Sequence, residues 1–475
     1  MSDTATATPG EAESGLKRSI TGRLLFFYVL GDVLGSGIYA LIGLVAGAVG
    51  GAFFIAFAVG VTIATVTGMA YAELATKYPR AAGAALYINQ AFRSQPLTFL
   101  VTVLFLASSF AAAGSLATGF ANYFGQVWAA PPGLVIALLF ILMLAVINFI
   151  GITESVVANM VMTFVEVSGL LIVLLIGAVV VFRGDAEFGV LTEFTADGNP
   201  VFAILAGVSL AFFAMTGFEN AANVAEETVD PARNFPRALI GGMAAAGVFY
   251  VLVSVASALT LPVDELAGSD TPLLDVVESG VLPLPVGVLS IVFAVIAMTA
   301  ITNTTLVAIV TQPRILYGMA REDVVPAVFG KVHPTRRSPV VGLVFSAAVV
   351  MVLLAASNGL KALGLDVDVV ARLATVTVVL LLIIYSMVIV ACMKLGSTDV
   401  NAEHYRAPRP LLVLGLVGNL AVLVYTVVDD PTSVLWCLAL VAVGVGLFVF
   451  EYFFGHRDRP AGTDRGDRTL RTEGS

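Results

Sequence analysis

The chain reads as an all-α integral membrane protein with 12 transmembrane helices, on three features of its sequence. Of its 475 residues 59% are hydrophobic and only 12% charged, with a mean hydropathy of +0.97; a soluble domain carries roughly 25% charged residues. Apolar runs of about 20 residues, the length that crosses a bilayer as a helix, recur along the whole chain. Lys and Arg are also placed asymmetrically. With the N-terminus in the cytoplasm, all of the 24 basic residues except Arg183, Lys361 and Arg372 fall on inner segments. This positive-inside pattern collapses if the helix count shifts by one.

In chain order the spans are expected near 24–50, 52–76, 97–124, 133–151, 156–182, 202–228, 237–261, 284–316, 339–357, 369–393, 410–428 and 432–454. The polar start, 1–22, has no signal-peptide pattern and reads as a cytoplasmic tail. Spans 1–10 make a core over 23–394, and spans 11 and 12 occupy 395–455. The stretch 456–475, rich in Arg, Asp and Gly, reads as a disordered cytoplasmic tail. A multi-pass protein of the plasma membrane, both ends inside, is the expectation. The longest outer connections are 183–200 and 262–283, and the main inner one is 321–338.

The composition also excludes function classes. Cys392 and Cys437 lie within apolar spans, so there is no disulfide framework and no cysteine metal motif. His333, His404 and His456 have no ligand spacing around them. No HExxH pair, Asp-rich diphosphate motif or intramembrane Ser/His or Cys/His pair occurs, so no enzyme and no cofactor are expected. The expected partners are a small-molecule substrate and the lipid bilayer, not nucleic acid; the oligomeric state stays open.

Two spans carry breaks. Span 1, in "GDVLGSGIYALIG", is interrupted at Gly35-Ser36-Gly37, and span 6, in "FFAMTGFENAANVAEETVDP", near Ala214-Met215-Thr216-Gly217. Backbone that leaves a helix at mid-membrane must line a cavity or meet a ligand, and glycine permits the unwinding and the close approach. The half-helix starting near Ile38 presents its first N–H groups and positive dipole end to an anion such as a carboxylate, and Ser36 adds a hydroxyl. The half-helix ending near Met215 presents carbonyls, suited to an ammonium group. One site would then read both ends of an α-amino acid. The alternative is that Gly35 and Gly37 are helix-packing glycines. Spans 1 and 6 would each open a five-helix unit; five is odd, so the two units are inverted, and matched interrupted helices point to a binding site between them.

The stretches "GDVLGSGIYALIG", "YAELATKYPRAAGAALYINQAF", "FFAMTGFENAANVAEETVDPARNFPRALIGG" and "QPRILYGMAREDVVPAVFGKVHPTRRSPVVG" resemble the amino acid–polyamine–organocation (APC) permeases, in order from about residue 20 to 430. The resemblance implies the leucine-transporter fold, a five-plus-five inverted repeat with broken helices 1 and 6 followed by two extra helices. It also implies secondary transport of amino acids or related amines. By position, the substrate carboxylate would meet Ser36, Gly37 and Ile38, and the amine the carbonyls of Phe213, Ala214 and Thr216, with Gly35 and Gly217 opening the two breaks. Phe213 stands where relatives place an aromatic gate; its alternative is a core phenylalanine. A sodium site like that of sodium-coupled relatives would use Ala300, Asn303 and Thr304 with the carbonyls of Gly31 and Leu34, all oxygen donors, although Asn303 departs from the usual hydroxyl. Some proton-coupled relatives place a lysine in span 5, where this chain has Glu166.

An acid in the bilayer costs at least about 2.5–3.5 kcal/mol at a helix centre and is a functional candidate by default. Asp32, Glu166 and Glu219 are the three, each a candidate for coupling to protons. Asp32 and Glu219 have capping of freed N–H groups as their alternative; Glu166 has a polar contact to span 1 or 8. Charges at the inner rim (Glu73 and Arg80, Asp230, Arg233 and Arg237, Arg314 and Arg321) suit either an inner gate or plain anchoring. The expected function is a secondary active amino acid permease working by alternating access, with a sodium ion or proton as coupling ion. A polyamine or organic amine transporter, an exchanger, and a non-transporting amino acid sensor are the alternatives.

Overall fold

The computed structural model describes residues 19–79, 83–128, 131–150, 156–195, 199–321, 325–333, 339–364, 368–397 and 404–454. They are helical almost throughout: α1 (Gly22–Leu34), α2 (Gly37–Val49), α3 (Phe54–Lys77), α4 (Gly83–Phe92), α5 (Gln95–Val127), α6 (Gly133–Ile150), α7 (Val156–Arg183), α8 (Pro200–Ala214), α9 (Pro231–Thr260), α10 (Val263–Gly268), α11 (Pro272–Glu278), α12 (Val286–Arg321), α13 (Val340–Ala362), α14 (Val369–Leu395), α15 (Arg409–Asp429) and α16 (Pro431–Phe454). A 3₁₀ segment, Phe218–Glu227, follows α8. Ten helical stretches are long and apolar enough to cross a bilayer, and α1 with α2, bent by 43° where they meet, make an eleventh. Pro431–Leu447 of α16 is a shorter apolar helix.

Helix starts are capped by short polar side chains that take up amides the helix leaves free. Thr21 accepts from Leu24 N, Ser94 from Leu97 N with Pro96 in the first turn, Asn199 from Val201 N ahead of Pro200, and Asp368 from Ala371 N. Burial separates interior helices from lipid-facing ones. In α14, 78% of the most apolar window is buried, against 33% in α6 and 28% in α15, so α14 is an inner post and the other two are peripheral. Helices in lipid gain nothing by merely hiding apolar surface, so close approach of small residues holds them together. Gly177 lies against Ala256, and Gly247 against Val61. Around the core, α1 packs on α7 and α9, α2 on α8, α3 on α9, and α5 on α12 and α14.

The helices α4, α10 and α11 stand where the sequence suggests only connections. A span-length hydropathy window does not register a short helix that hides one stripe: α4 buries Tyr87, Ile88 and Ala91, and α11 buries Leu273, Leu274, Val276 and Val277. The residues just ahead of α1 are tied to the segment that follows the second break. Ser19 and Ile20 donate their amides to Glu227 O at 3.0 Å, Val229 N donates to Ile20 O at 2.9 Å, and Ile20 is buried. The expected disordered stretch 456–475 lies outside the described residues.

Two ion pairs tie the last helices to the rest. At one end Glu73 of α3, buried, takes Arg409 of α15 at 2.9 Å and the amide of Ala407 at 2.8 Å, while the buried Lys77 donates to Leu395 O at 2.5 Å. Glu73 is thus a brace between α3 and the start of α15 rather than a partner of the rim arginines at spans 6 and 8. At the other end Arg372 pairs with Asp430, which also accepts from the Thr432 and Ser433 hydroxyls at 2.5 Å. Burial pushes the Asp430 carboxyl up, but the Ser433 and Thr432 hydroxyls and the Arg372 guanidinium together outweigh it and bring it down to about 2. A folded-state value below the unfolded one, about 3.9, stabilises the fold above that unfolded value and stops doing so as pH falls toward 2. Asp430→Asn should therefore lower the melting temperature at pH 7, and the difference from wild type should shrink between about pH 4 and pH 2. A gap that is constant over that range would refute the assignment.

Candidate substrate-binding site

The first break follows from its residues. Gly35 ends α1 with its amide on Gly31 O at 3.1 Å, and the Ser36 amide leaves the helix to donate to the Thr304 hydroxyl of α12 at 3.3 Å. At Gly37 α2 begins, and Ala40 N returns to Ser36 O at 3.1 Å. Ser36, Gly37 and Ile38 are all buried. They put a helix N-terminus, with its free amides, inside the bundle.

The second break is built around Gly217. The last turn of α8 tightens, with Met215 N on Phe212 O at 3.0 Å and Thr216 N on Phe213 O at 3.1 Å; the Thr216 hydroxyl adds 2.7 Å to the same carbonyl. Gly217 then adopts φ +114°, a conformation side chains resist. Its amide donates to Glu219 Oε2 at 2.9 Å, and that same oxygen accepts the Tyr385 hydroxyl at 2.7 Å.

The two breaks touch. A Cβ placed on Gly37 would lie 2.3 Å from Ala214 Cα, and one on Gly217 would lie 2.6 Å from the backbone oxygen of Asp32. No atom larger than hydrogen fits at either crossing. Among the expected cradle carbonyls, that of Phe213 already accepts from Thr216, and that of Ala214 accepts the Tyr250 hydroxyl at 2.8 Å. In this conformation a ligand would share or displace those donors. The Phe213 side chain is buried, 4% exposed, so it does not line an open vestibule here.

The coupling candidates separate into two groups. Glu166 of α7, fully buried, accepts the Asn303 side-chain amide at 3.0 Å, and the Tyr39 hydroxyl donates to Glu166 O at 2.7 Å. Asn303 therefore donates its side-chain amide toward α7, while its neighbour Thr304 meets the first break through Ser36 N and sits where a Gly35 Cβ would come within 2.2 Å. Thr304 also donates to Ala300 O at 3.4 Å, and Gly31 presses on Thr163 and Asn159, where a Cβ would lie 1.8 and 3.1 Å from their oxygens. Leu34 is buried in the turn above. Asp32 accepts Asn220 Nδ2 at 3.1 Å, so it joins α1 to the stretch after the second break. Among the described residues no group of three or more His, Cys, Asp or Glu side chains converges as a metal site.

Sequence reasoning passed over the tyrosines. Tyr39, Tyr123, Tyr250 and Tyr385 are fully buried within apolar spans, and each donates to a backbone carbonyl or carboxylate near a break. Their signal is a hydroxyl inside a bilayer-length run, a group that is costly there without a partner.

Comparison with known proteins agrees with this architecture. The sequence profile of the amino acid permeases matches residues 22–450. The branched-chain amino acid permease BcaP of Bacillus subtilis is 26% identical over 365 residues, covering 73% of this chain and 76% of that protein. The chloroplastic cationic amino acid transporter 9 of Arabidopsis thaliana is 25% identical over 328 residues, covering 64% of this chain and 56% of that one. Among solved structures, a manganese transporter of Eremococcus coleocola superposes with a TM-score of 0.62 over 94% of this chain and 99% of its own, at 13% identity, a likeness of fold alone. With the profile spanning nearly all the described helices, the chain belongs to the amino acid permease family of the amino acid–polyamine–organocation superfamily and is a membrane transporter, not an enzyme.

Proposed function

We propose that the protein is a secondary active amino acid permease of the plasma membrane, with twelve spans, α1–α2 and α8 with its 3₁₀ extension being the two broken ones, and both ends in the cytoplasm. The observation that carries this is the contact of the two interruptions at Gly37 and Ala214, which sets the N-terminus of α2 beside the C-terminus of α8. The amides of Gly37 and Ile38 and the Ser36 hydroxyl take the carboxylate, and the carbonyls of Phe213, Ala214 and Thr216 take the ammonium. Alternating access then consists of the bundle rocking about that fixed site.

A proton is the coupling ion in this reading. The Glu166 carboxylate, which accepts the Asn303 side-chain NH2, puts an ionisable group between α7 and α12 beside the Thr304 contact to the first break. Uptake into liposomes by the purified protein, over a panel of labelled amino acids and amines, tests both parts when sodium and pH gradients are imposed separately. Accumulation of at least one α-amino acid under an inward proton gradient is expected. Dependence on sodium alone would transfer coupling to Gly31, Leu34, Ala300, Asn303 and Thr304, and binding without flux would make the protein a sensor. A second reading, transport of amines or polyamines, rests on Asp32, whose carboxylate beside Gly217 would serve a second positive charge. A related Bacillus subtilis protein, 24% identical, is a methylthioribose transporter, so the scaffold carries more than amino acids.

A further inference from the structure

Tyr250 lies in the second half of α9, with its ring fully buried and packed against Phe57 of α3 at 5.8 Å between centroids. Its hydroxyl reaches two carbonyls at once: that of Val33, in the last turn of α1, and that of Ala214, the last residue of α8, at 2.8 Å. Both belong to C-terminal ends of half-helices, where carbonyls run out of intrahelical partners and the negative end of the dipole gathers. A phenol has one hydrogen and serves one of these carbonyls at a time. A primary ammonium has three, and its hydrogen bonds are charge-assisted. The arrangement is short of donors in the way that an α-ammonium would make good.

We propose that Tyr250 is a positioning residue of the transport cycle: with no substrate bound its hydroxyl latches the ends of α1 and α8 to α9, and the substrate's α-ammonium replaces that hydroxyl on the two carbonyls. Arrival of the amine releases α9 from both half-helices, so recognition of the ligand and freedom of the helices to move become one event. By linkage, the latch stabilises only the substrate-free state, and the ligand binds against it. The inference rests on the reading of the breaks as an amino acid site and adds the residue that competes for it.

Tyr250→Phe keeps the ring and removes the hydroxyl. In purified protein in nanodiscs, with L-leucine and L-arginine as probes, the substrate-free variant should melt lower than wild type, while the saturated variant should melt close to it. The variant should also bind the effective probe about fivefold more tightly, the scale of one net hydrogen bond. Ser254→Ala, one turn further along α9, removes a hydroxyl that bonds only Tyr250 O at 2.7 Å and should reproduce wild-type values in both assays. Weaker binding by Tyr250→Phe would make the hydroxyl a direct substrate contact and overturn the latch. Equal destabilisation with and without ligand at unchanged affinity would make Tyr250 merely structural and overturn it as well. Failure of wild type to bind either probe would instead count against the amino acid reading of the site.

Discussion

Gly37→Ala is expected to bring uptake down to background, a loss of about a hundredfold or more, on the scale that an ångström of misplacement costs a positioned site. The added methyl would lie 2.3 Å from Ala214 Cα, 2.7 Å from its Cβ and 3.1 Å from its backbone nitrogen. Backbone cannot swing aside as a flexible side chain can, so α2 and α8 must separate. That separation moves the α2 amides away from the α8 carbonyls, the two elements meant to hold opposite ends of one ligand. Gly359→Ala in α13, where a Cβ has nothing within 4 Å, is the control and should transport normally. Both proteins should elute as single species after purification. Uptake at the wild-type rate by Gly37→Ala would show that the crossing of the breaks is not the site.

The second large effect concerns energy coupling. Glu166→Gln should lose accumulation driven by a proton gradient, by about tenfold within the range typical of thermodynamic coupling, while one-for-one exchange survives. Glutamine keeps the shape and an acceptor for Asn303, whose amide lies 3.0 Å from the carboxylate, so the contact between α7 and α12 persists and only the ability to release a proton is gone. Asn303→Ala removes the same contact from the other side and should shift the pH dependence of uptake rather than abolish flux. The measurement is the steady-state ratio of inside to outside substrate in liposomes with the pH gradient imposed and then collapsed. An unchanged ratio in Glu166→Gln would exclude Glu166 as the proton carrier.

Most of the long helices were legible from hydropathy, because a bilayer allows backbone polar groups only a self-satisfied helix. The span expected at 133–151 is α6 at Gly133–Ile150, and the one expected at 369–393 is α14 at Val369–Leu395. At the glycines and polar residues that stand where lipid demands neither, α1 ends at Leu34 and α8 at Ala214. The short helices were not legible, since α4 and α11 hide only three and five residues. Glu73 read as a rim charge because sequence carries no sign of Arg409, 336 positions away.

What the sequence by itself determined is therefore local: which segments enter the membrane, and where helix 1 and the helix after Pro200 must stop. Hydropathy and the need of each backbone group for a partner act over a few residues, and they leave their mark in order along the chain. Only the tertiary structure decided the pairings: Gly37 on Ala214, Asn303 on Glu166, and the Tyr250 hydroxyl on Val33 and Ala214. Those choices belong to packing, which joins residues from 36 to 217 positions apart, and a hydroxyl in an apolar run has no way to announce which carbonyl it will reach.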